Sequence, residues 1–326
     1  MEMKRLTLVL ILGLFALRSY GQFYIQPSVG YTFNSHPTEI QSLLIADNLK
    51  SVYVMKLRYG QGLHAGLTAG YFIWDQLFPY LAVSHHVFAI DTPRHGKSRP
   101  WEGVLNQAKL IEILDGVFDA LQLLRFQLVG LSMGGALSIG YATQHPDRVQ
   151  SMVLFEPGGL GEKLDAQFVT WLYIKTPGML RILSKSYVKK DRAAVRKLLD
   201  TIYVGGSTPT DPDRLVSILM DEIKGKFDCH ENDMDDWQLD GVIGPFRLYW
   251  NLLDQITRIS CPTLWLRGAE SKLVKQSEME RAVSLARESG QLAELTVVPQ
   301  AGHILPLEQP EVVNPMVHEF LVQTAK

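Results

Sequence analysis

Two hydrophobic periods run through the second half of this chain and alternate with each other. Short apolar runs of strand length occur at HHVFAID (85–91), FQLVGLS (126–132), VQSMVLF (149–155), PTLWLRG (262–268) and AELTVVP (293–299). Between them, apolar residues recur every three to four positions. Over 101–125 these are Val104, Ala108, Ile111, Leu114, Val117, Phe118 and Leu121, which predicts an amphipathic helix. MGGALSIGYATQ, closed by His145-Pro146, reads as another helix, as do residues 276–289 and the segment that starts at Pro310. Continuous apolar strands separated by helices predict an α/β fold, a mostly parallel central sheet covered by helices on both faces.

The pattern changes between Glu156 and about Pro245. That stretch is helical in character and has no clear buried strand, which predicts helices inserted over the sheet. FYIQPSVGYTF and SVYVMKLRYG, before residue 63, are strand-like, with aromatic and β-branched residues alternating. The chain therefore divides into residues 1–21, a strand-like segment 22–62, a core formed by 63–156 and 246–326, and a helical cap 157–245.

The first 21 residues have a layout of their own. Lys4 and Arg5 precede the apolar run Leu6 to Leu17, and the small residues Ser19 and Gly21 stand just before Gln22. This is the three-part layout of a secretory signal peptide, and it predicts an exported protein, periplasmic or secreted. Charge adds one exclusion. With 32 Lys+Arg against 34 Asp+Glu, a net charge of −2 offers no basic face for nucleic acid. Cys229 and Cys261 are expected to be free thiols.

Chemistry enters at Gly130-Leu131-Ser132-Met133-Gly134, a G-x-S-x-G set between a predicted strand and a predicted helix. A strand that turns this sharply into a helix leaves the serine in a strained conformation. Gly130 and Gly134 would give it clearance, and the hydroxyl would project above the helix N-terminus.

At this point the chain resembles the α/β-hydrolase family over about residues 63–326. Four stretches carry the resemblance, in the family's order: LHAG with Trp74 downstream, DTPRHGKS, GLSMGG and AGHILPLEQPE. The resemblance implies that Ser132 is a nucleophile and His303 its base, with no metal or organic cofactor. Met133 is the expected first oxyanion-hole donor, and Gly66 or Leu67, in the loop His64-Ala65-Gly66-Leu67, the expected second, with His64 ordering the loop. Asp91 is expected to order the turn that it opens. In the family a carboxylate follows the strand written here PTLWLRG. Ser271 holds that position, so Glu270, one residue earlier, is the first expectation for the acid. Glu156, after VQSMVLF, is the alternative. The implied reaction is hydrolysis of a small apolar carboxylic ester. The same machinery acting on a C–C, thioester or amide bond stays open, as does an inactive ligand-binding homologue.

Three stretches remain outside this scheme. DCHENDMDD (228–236) mixes potential metal ligands at a spacing that fits no zinc or calcium loop, and reads as solvated. KSYVKKDRAAVRK (185–197) reads as a solvated basic helix face, with contact to an anionic membrane surface as the competing reading. FVTWLYIKTPGMLRIL (168–183) would either line an acyl pocket or pack the cap onto the sheet.

Overall fold

The computed structural model describes the backbone of residues 27–33, 39–45, 50–57, 61–67 and 72. It describes residues 73–96, 98, 99, 101, 105–164, 166–229 and 241–325 in full. The predicted signal peptide and most of the acidic stretch 228–236 lie outside the described residues.

Among these residues the strands are β1 (Pro27–Phe33), β2 (Glu39–Ile45), β3 (Lys50–Leu57), β4 (Gln61–Leu67), β5 (Val87–Ile90), β6 (Phe126–Leu131), β7 (Val149–Phe155), β8 (Thr263–Gly268) and β9 (Ala293–Val298). The helices are α1 (Leu77–Ala82), α2 (Gln107–Ala120), α3 (Met133–Gln144), α4 (Gln167–Lys175), α5 (Met179–Val188), α6 (Arg192–Ile202), α7 (Pro212–Asp228), α8 (Leu253–Ile256), α9 (Gln276–Glu288), α10 (Leu305–Glu308) and α11 (Pro310–Gln323). Local chemistry starts several of them. Asn106, Asp191 and Asp211 accept from the backbone N–H of Lys109, Ala194 and Arg214, capping α2, α6 and α7, and Pro212 opens α7.

The C-terminal half holds a parallel sheet in the order β6-β7-β8-β9. Its central strands β7 and β8 are buried on both faces, and the pleat divides their side chains. Met152, Leu154 and Trp265 join the core formed with α2, α3 and α9, whereas Val153, Phe155, Leu264 and Leu266 join the core formed with α1 and α11. This is why the runs read as continuously apolar. All six residues of β8 are buried, Arg267 among them.

The N-terminal strands pair differently. β3 lies antiparallel between β2 and β5, and β1 pairs antiparallel with β4, so the parallel order is confined to β6–β9. The predicted cap is seen as α4 to α7 between β7 and β8. It has a small core of its own, made of Val195, Leu199, Val204, Leu215 and Val216. Ile304, from the loop after β9, completes it.

Candidate active site

The site is built at the C-terminal edge of the parallel sheet. Leu131 and Phe155 are register partners in β6 and β7, so Ser132 and Glu156 leave adjacent strands side by side. Ser132 has φ 53° and ψ −113°, and Glu156 has φ 41°. Neither is glycine, and positive φ in such residues costs about 1–3 kcal/mol each. The surrounding backbone holds both. Ser132 N–H donates to Phe155 O at 2.8 Å, its carbonyl accepts from Gly158 N at 3.0 Å, and Glu156 N–H donates to Leu266 O at 3.1 Å.

The glycines around Ser132 divide their roles differently from the sequence expectation. A Cβ on Gly130 would lie 2.5 Å from the carbonyl group of Gly134 and 2.6 Å from Gly135 N, so Gly130 permits the close approach of strand and helix. A Cβ on Gly135 would lie 2.9 Å from Pro157 Cβ. A Cβ on Gly134 would meet nothing within 4 Å, so the expected clearance role passes from Gly134 to Gly135. Met133 opens α3, where first-turn N–H groups point out of the helix end and the helix dipole favours negative charge.

Glu156, fully buried, is the carboxylate on His303. Its Oε2 lies 2.7 Å from His303 Nδ1 and accepts from Ser271 Oγ at 2.6 Å, while Oε1 accepts from Gly268 N at 2.9 Å. An ionised carboxylate only accepts, so Nδ1 carries the proton and Nε2 presents its lone pair. Ser132 and His303 are not hydrogen-bonded to each other. Such bonds often tighten only when substrate is bound.

Glu270, the first expectation for the acid, does not reach His303. It is exposed, and its Oε2 accepts from Ala301 N at 2.9 Å, so it braces the base-bearing loop from outside. Chain direction explains the change. Glu156 continues straight from a buried strand and turns inward at positive φ, whereas Glu270 lies beyond the end of β8 on the solvent side. Ser271, at the position usual for the acid, donates to Glu156.

The expected loop His64-Ala65-Gly66-Leu67 is also corrected. These residues end strand β4, with His64 opposite Gly30, Gly66 opposite Ser28 and Leu67 opposite Pro27 of β1. They contain no proline or Asx residue to start a turn, and pairing with β1 continues to Leu67. Met133, at the first position of α3, therefore remains the expected oxyanion donor. Asp91 follows β5 at the start of the turn 91–98. Gly96, at φ 48°, lies against the Asp91 carboxylate, where a Cβ would come within 2.3 Å of Oδ2. Arg94, at the usual glycine position, takes φ 66°.

Sequence reasoning missed two supports. Arg267, 5% exposed, donates to the carbonyls of Gly268, Ala269, Ser271 and Val274 and so shapes the turn that carries Ser271. A charged residue inside an otherwise apolar strand was the available signal. Tyr203, from the cap, receives the His303 N–H on its carbonyl at 2.8 Å and sets its ring 6.1 Å from the imidazole. No sequence pattern announced it.

Other groups lie apart from this constellation. Cys229 and Cys261 form no disulfide, and burial pushes the Cys261 thiol up to about 11. An open cleft of about 750 Å³ lies at the opposite end of the sheet, against Arg125, Asp147, Cys261 and Gln323. Within the stretch 168–183, Phe168, Val169, Leu172 and Ile182 are exposed.

Comparison with known proteins gives the same fold. The alpha/beta hydrolase fold family model matches residues 63–310. Among similar curated proteins is a 2-hydroxy-6-oxononadienedioate/2-hydroxy-6-oxononatrienedioate hydrolase of Cupriavidus pinatubonensis, 26% identical over 74% of this chain and 78% of that protein. Another is the monoacylglycerol lipase abhd6-B of Xenopus laevis, 25% identical over 70% of this chain and 72% of that protein. Among solved structures, a meta-cleavage product hydrolase (CumD, A129V mutant) superimposes with a TM-score of 0.62 at 23% identity, covering 87% of this chain and 98% of that one.

Proposed function

Because the chain belongs to the alpha/beta hydrolase family, we propose that it is an exported serine hydrolase acting on a carboxylic ester with an apolar part. One observation carries this reading: the buried Glu156–His303 hydrogen bond at the end of the strand beside the strained Ser132. Ser132 Oγ attacks the carbonyl carbon as His303 Nε2 takes its proton. The Met133 N–H stabilises the oxyanion, and Glu156 stabilises the imidazolium through Nδ1–H. Collapse of the tetrahedral intermediate expels the alcohol, which leaves with the proton from His303. Water, deprotonated by His303, then attacks the acyl-enzyme, and the acid is released.

A second reading is favoured by the relatives named as 2-hydroxy-6-oxo-dienoate hydrolases, which act on a C–C bond. One assay panel separates the two. Purified protein and Ser132→Ala are given a fluorophosphonate probe, p-nitrophenyl esters of short and medium chain length, and a 2-hydroxy-6-oxo-dienoate. Labelling and ester turnover that vanish in the variant support the ester reading. Turnover of the dienoate alone supports the second. A folded wild type that is neither labelled nor active overturns both.

The exported address rests on residues 1–21, and is tested by sequencing the N-terminus of the protein recovered outside the cytoplasm. Peripheral membrane contact is supported by the cap surface. There Phe168, Val169, Leu172, Phe246 and Tyr249 are exposed, Phe168 stacks on Phe246, and Lys163, Lys175 and Arg247 are exposed near them in sequence. Cosedimentation with anionic vesicles that is lost in Phe168→Ser/Phe246→Ser supports the contact, and equal sedimentation of wild type and variant counts against it.

A further inference from the structure

The loop that carries His303 is fastened to the cap as well as to the end of β8. Ala301, Gly302 and His303 follow β9, and the segment from Tyr203 to Thr210 joins α6 to α7. His303 N–H donates to Tyr203 O at 2.8 Å, and Thr210 N–H donates to Leu307 O at 3.0 Å. Gln309 Nε2 donates to Ser207 Oγ at 2.6 Å. Between these contacts the two backbones touch. A Cβ on Gly205 would lie 2.3 Å from Gly302 N, and one on Gly302 would lie 2.4 Å from Gly205 N.

Two N–H groups meet in that contact, and one buried side chain receives both. Glu308, 5% exposed, accepts from Gly205 N through Oε2 at 2.6 Å and from Gly302 N through Oε1 at 2.9 Å. One carboxylate thus spans the cap connection and the residue next to the base. The geometry points to Glu308 as a positioning residue that couples the cap to His303, so that the seating of the cap sets the place of the imidazole. This rests on His303 being the base of the hydrolase proposed above.

The carboxylate offers an acceptor oxygen to each N–H. Burial pushes the Glu308 carboxyl up to about 7. The Gly205, Gly302 and Ile304 backbone groups pull it back down, and the Glu156 charge raises it further. The charged or titratable groups facing the loop include His303 itself, Tyr203 from the cap connection and Glu270, which holds Ala301 N from the outer side. The seated carboxyl therefore holds a proton that a solvated one releases, so seating is favoured at low pH and the clamp loosens as the pH rises through about 7.

Three measurements on the full-length protein test this. The first is Glu308→Gln, with active sites titrated by fluorophosphonate so that any unfolded fraction is removed from the rate. A displaced base lowers kcat about 10- to 100-fold and leaves KM within about threefold, whereas a purely structural role lowers the titrated fraction alone. The second is the pH profile. As the pH rises above 7 the wild-type kcat per titrated site declines, and the variant shows no such decline. The third is hydrogen exchange in peptides covering 203–210 and 301–309. Relative to intrinsic rates, wild-type protection is higher at pH 6 than at pH 8, and in the variant it is low at both. Wild-type kcat per titrated site with unchanged protection in Glu308→Gln overturns the coupling. If that variant does not fold, equal wild-type protection at pH 6 and pH 8 overturns it. A wild type that is never labelled removes the hydrolase reading instead, and the exchange data then still report on the clamp.

Discussion

Glu156 Oε2 and His303 Nδ1 lie 2.7 Å apart although 147 positions separate them in the chain. Glu156 turns inward from the end of β7, and His303 is held by the loop after β9 and by the Tyr203 carbonyl of the cap. The carboxylate has no exposed surface, and its other contacts are donors from the turn after β8. Three strand ends and the cap thus define the position of one imidazole.

The identity of the acid follows from that contact. Glu156→Gln removes the negative charge and one of the two oxygens that face Gly268 N, Ser271 Oγ and His303 Nδ1, and kcat is expected to fall by about three to four orders of magnitude. Glu270→Gln keeps an oxygen for Ala301 N–H, and kcat is expected to stay within about threefold. Steady-state kinetics on folded variants decide the matter, and comparable losses in both would refute the assignment to Glu156.

The glycines flanking Ser132 should respond unequally. Gly130→Ala places a methyl group 2.5 Å from backbone atoms and is expected to cost about 3 kcal/mol or more. Gly134→Ala meets nothing within 4 Å and lies in the first turn of α3, so stability should be unchanged or rise by up to about 1 kcal/mol. Urea denaturation measures both, and a Gly134 variant as damaged as the Gly130 variant would contradict the packing described.

Arg267 gathers four carbonyls inside the protein. Arg267→Leu leaves them without their donor and frees the turn carrying Ser271. A loss of about 2–4 kcal/mol is expected, with a lower kcat among the molecules that remain folded. A variant of wild-type stability would show that the network contributes little.

Glu308 also gives stability a pH dependence of known sign. Its carboxyl is raised from 4.5 to about 7 in the folded protein, so the native state holds a proton that the unfolded chain has released. Its contribution is fully present below about pH 4.5 and is lost as pH rises through about 7, a change of up to about 3 kcal/mol. Urea midpoints taken between pH 4 and pH 8 should decline less across this window in Glu308→Gln than in wild type. Parallel declines would sink the linkage.

Some of this architecture was written in local sequence. VQSMVLF and PTLWLRG could only be strands buried on both faces, because every position had to find apolar or hydrogen-bonded surroundings. Ser132 could be read because the strained strand-to-helix turn needs glycine at position 130, although the second required glycine is Gly135 and not the expected Gly134. His303 was legible through the family resemblance of AGHILPLEQPE, directly after the last strand. These are short-range signals, set by backbone sterics and hydrophobic period.

The rest depended on contacts that no window of sequence contains. Glu156 and Glu270 both follow strands and look alike in the chain. Only the direction in which each backbone leaves the sheet decided that one points at the imidazole and the other at solvent. The strand character of His64 to Leu67 depended on a partner more than thirty residues away. Glu308 resembled any helix-end carboxylate until the fold brought Gly205 and Gly302 against it. Parallel strands collect their ends on one edge of the sheet, and so residues 132, 156, 268, 271 and 303 could meet there. That convergence depends on register and on cap docking, and only the tertiary structure decided it.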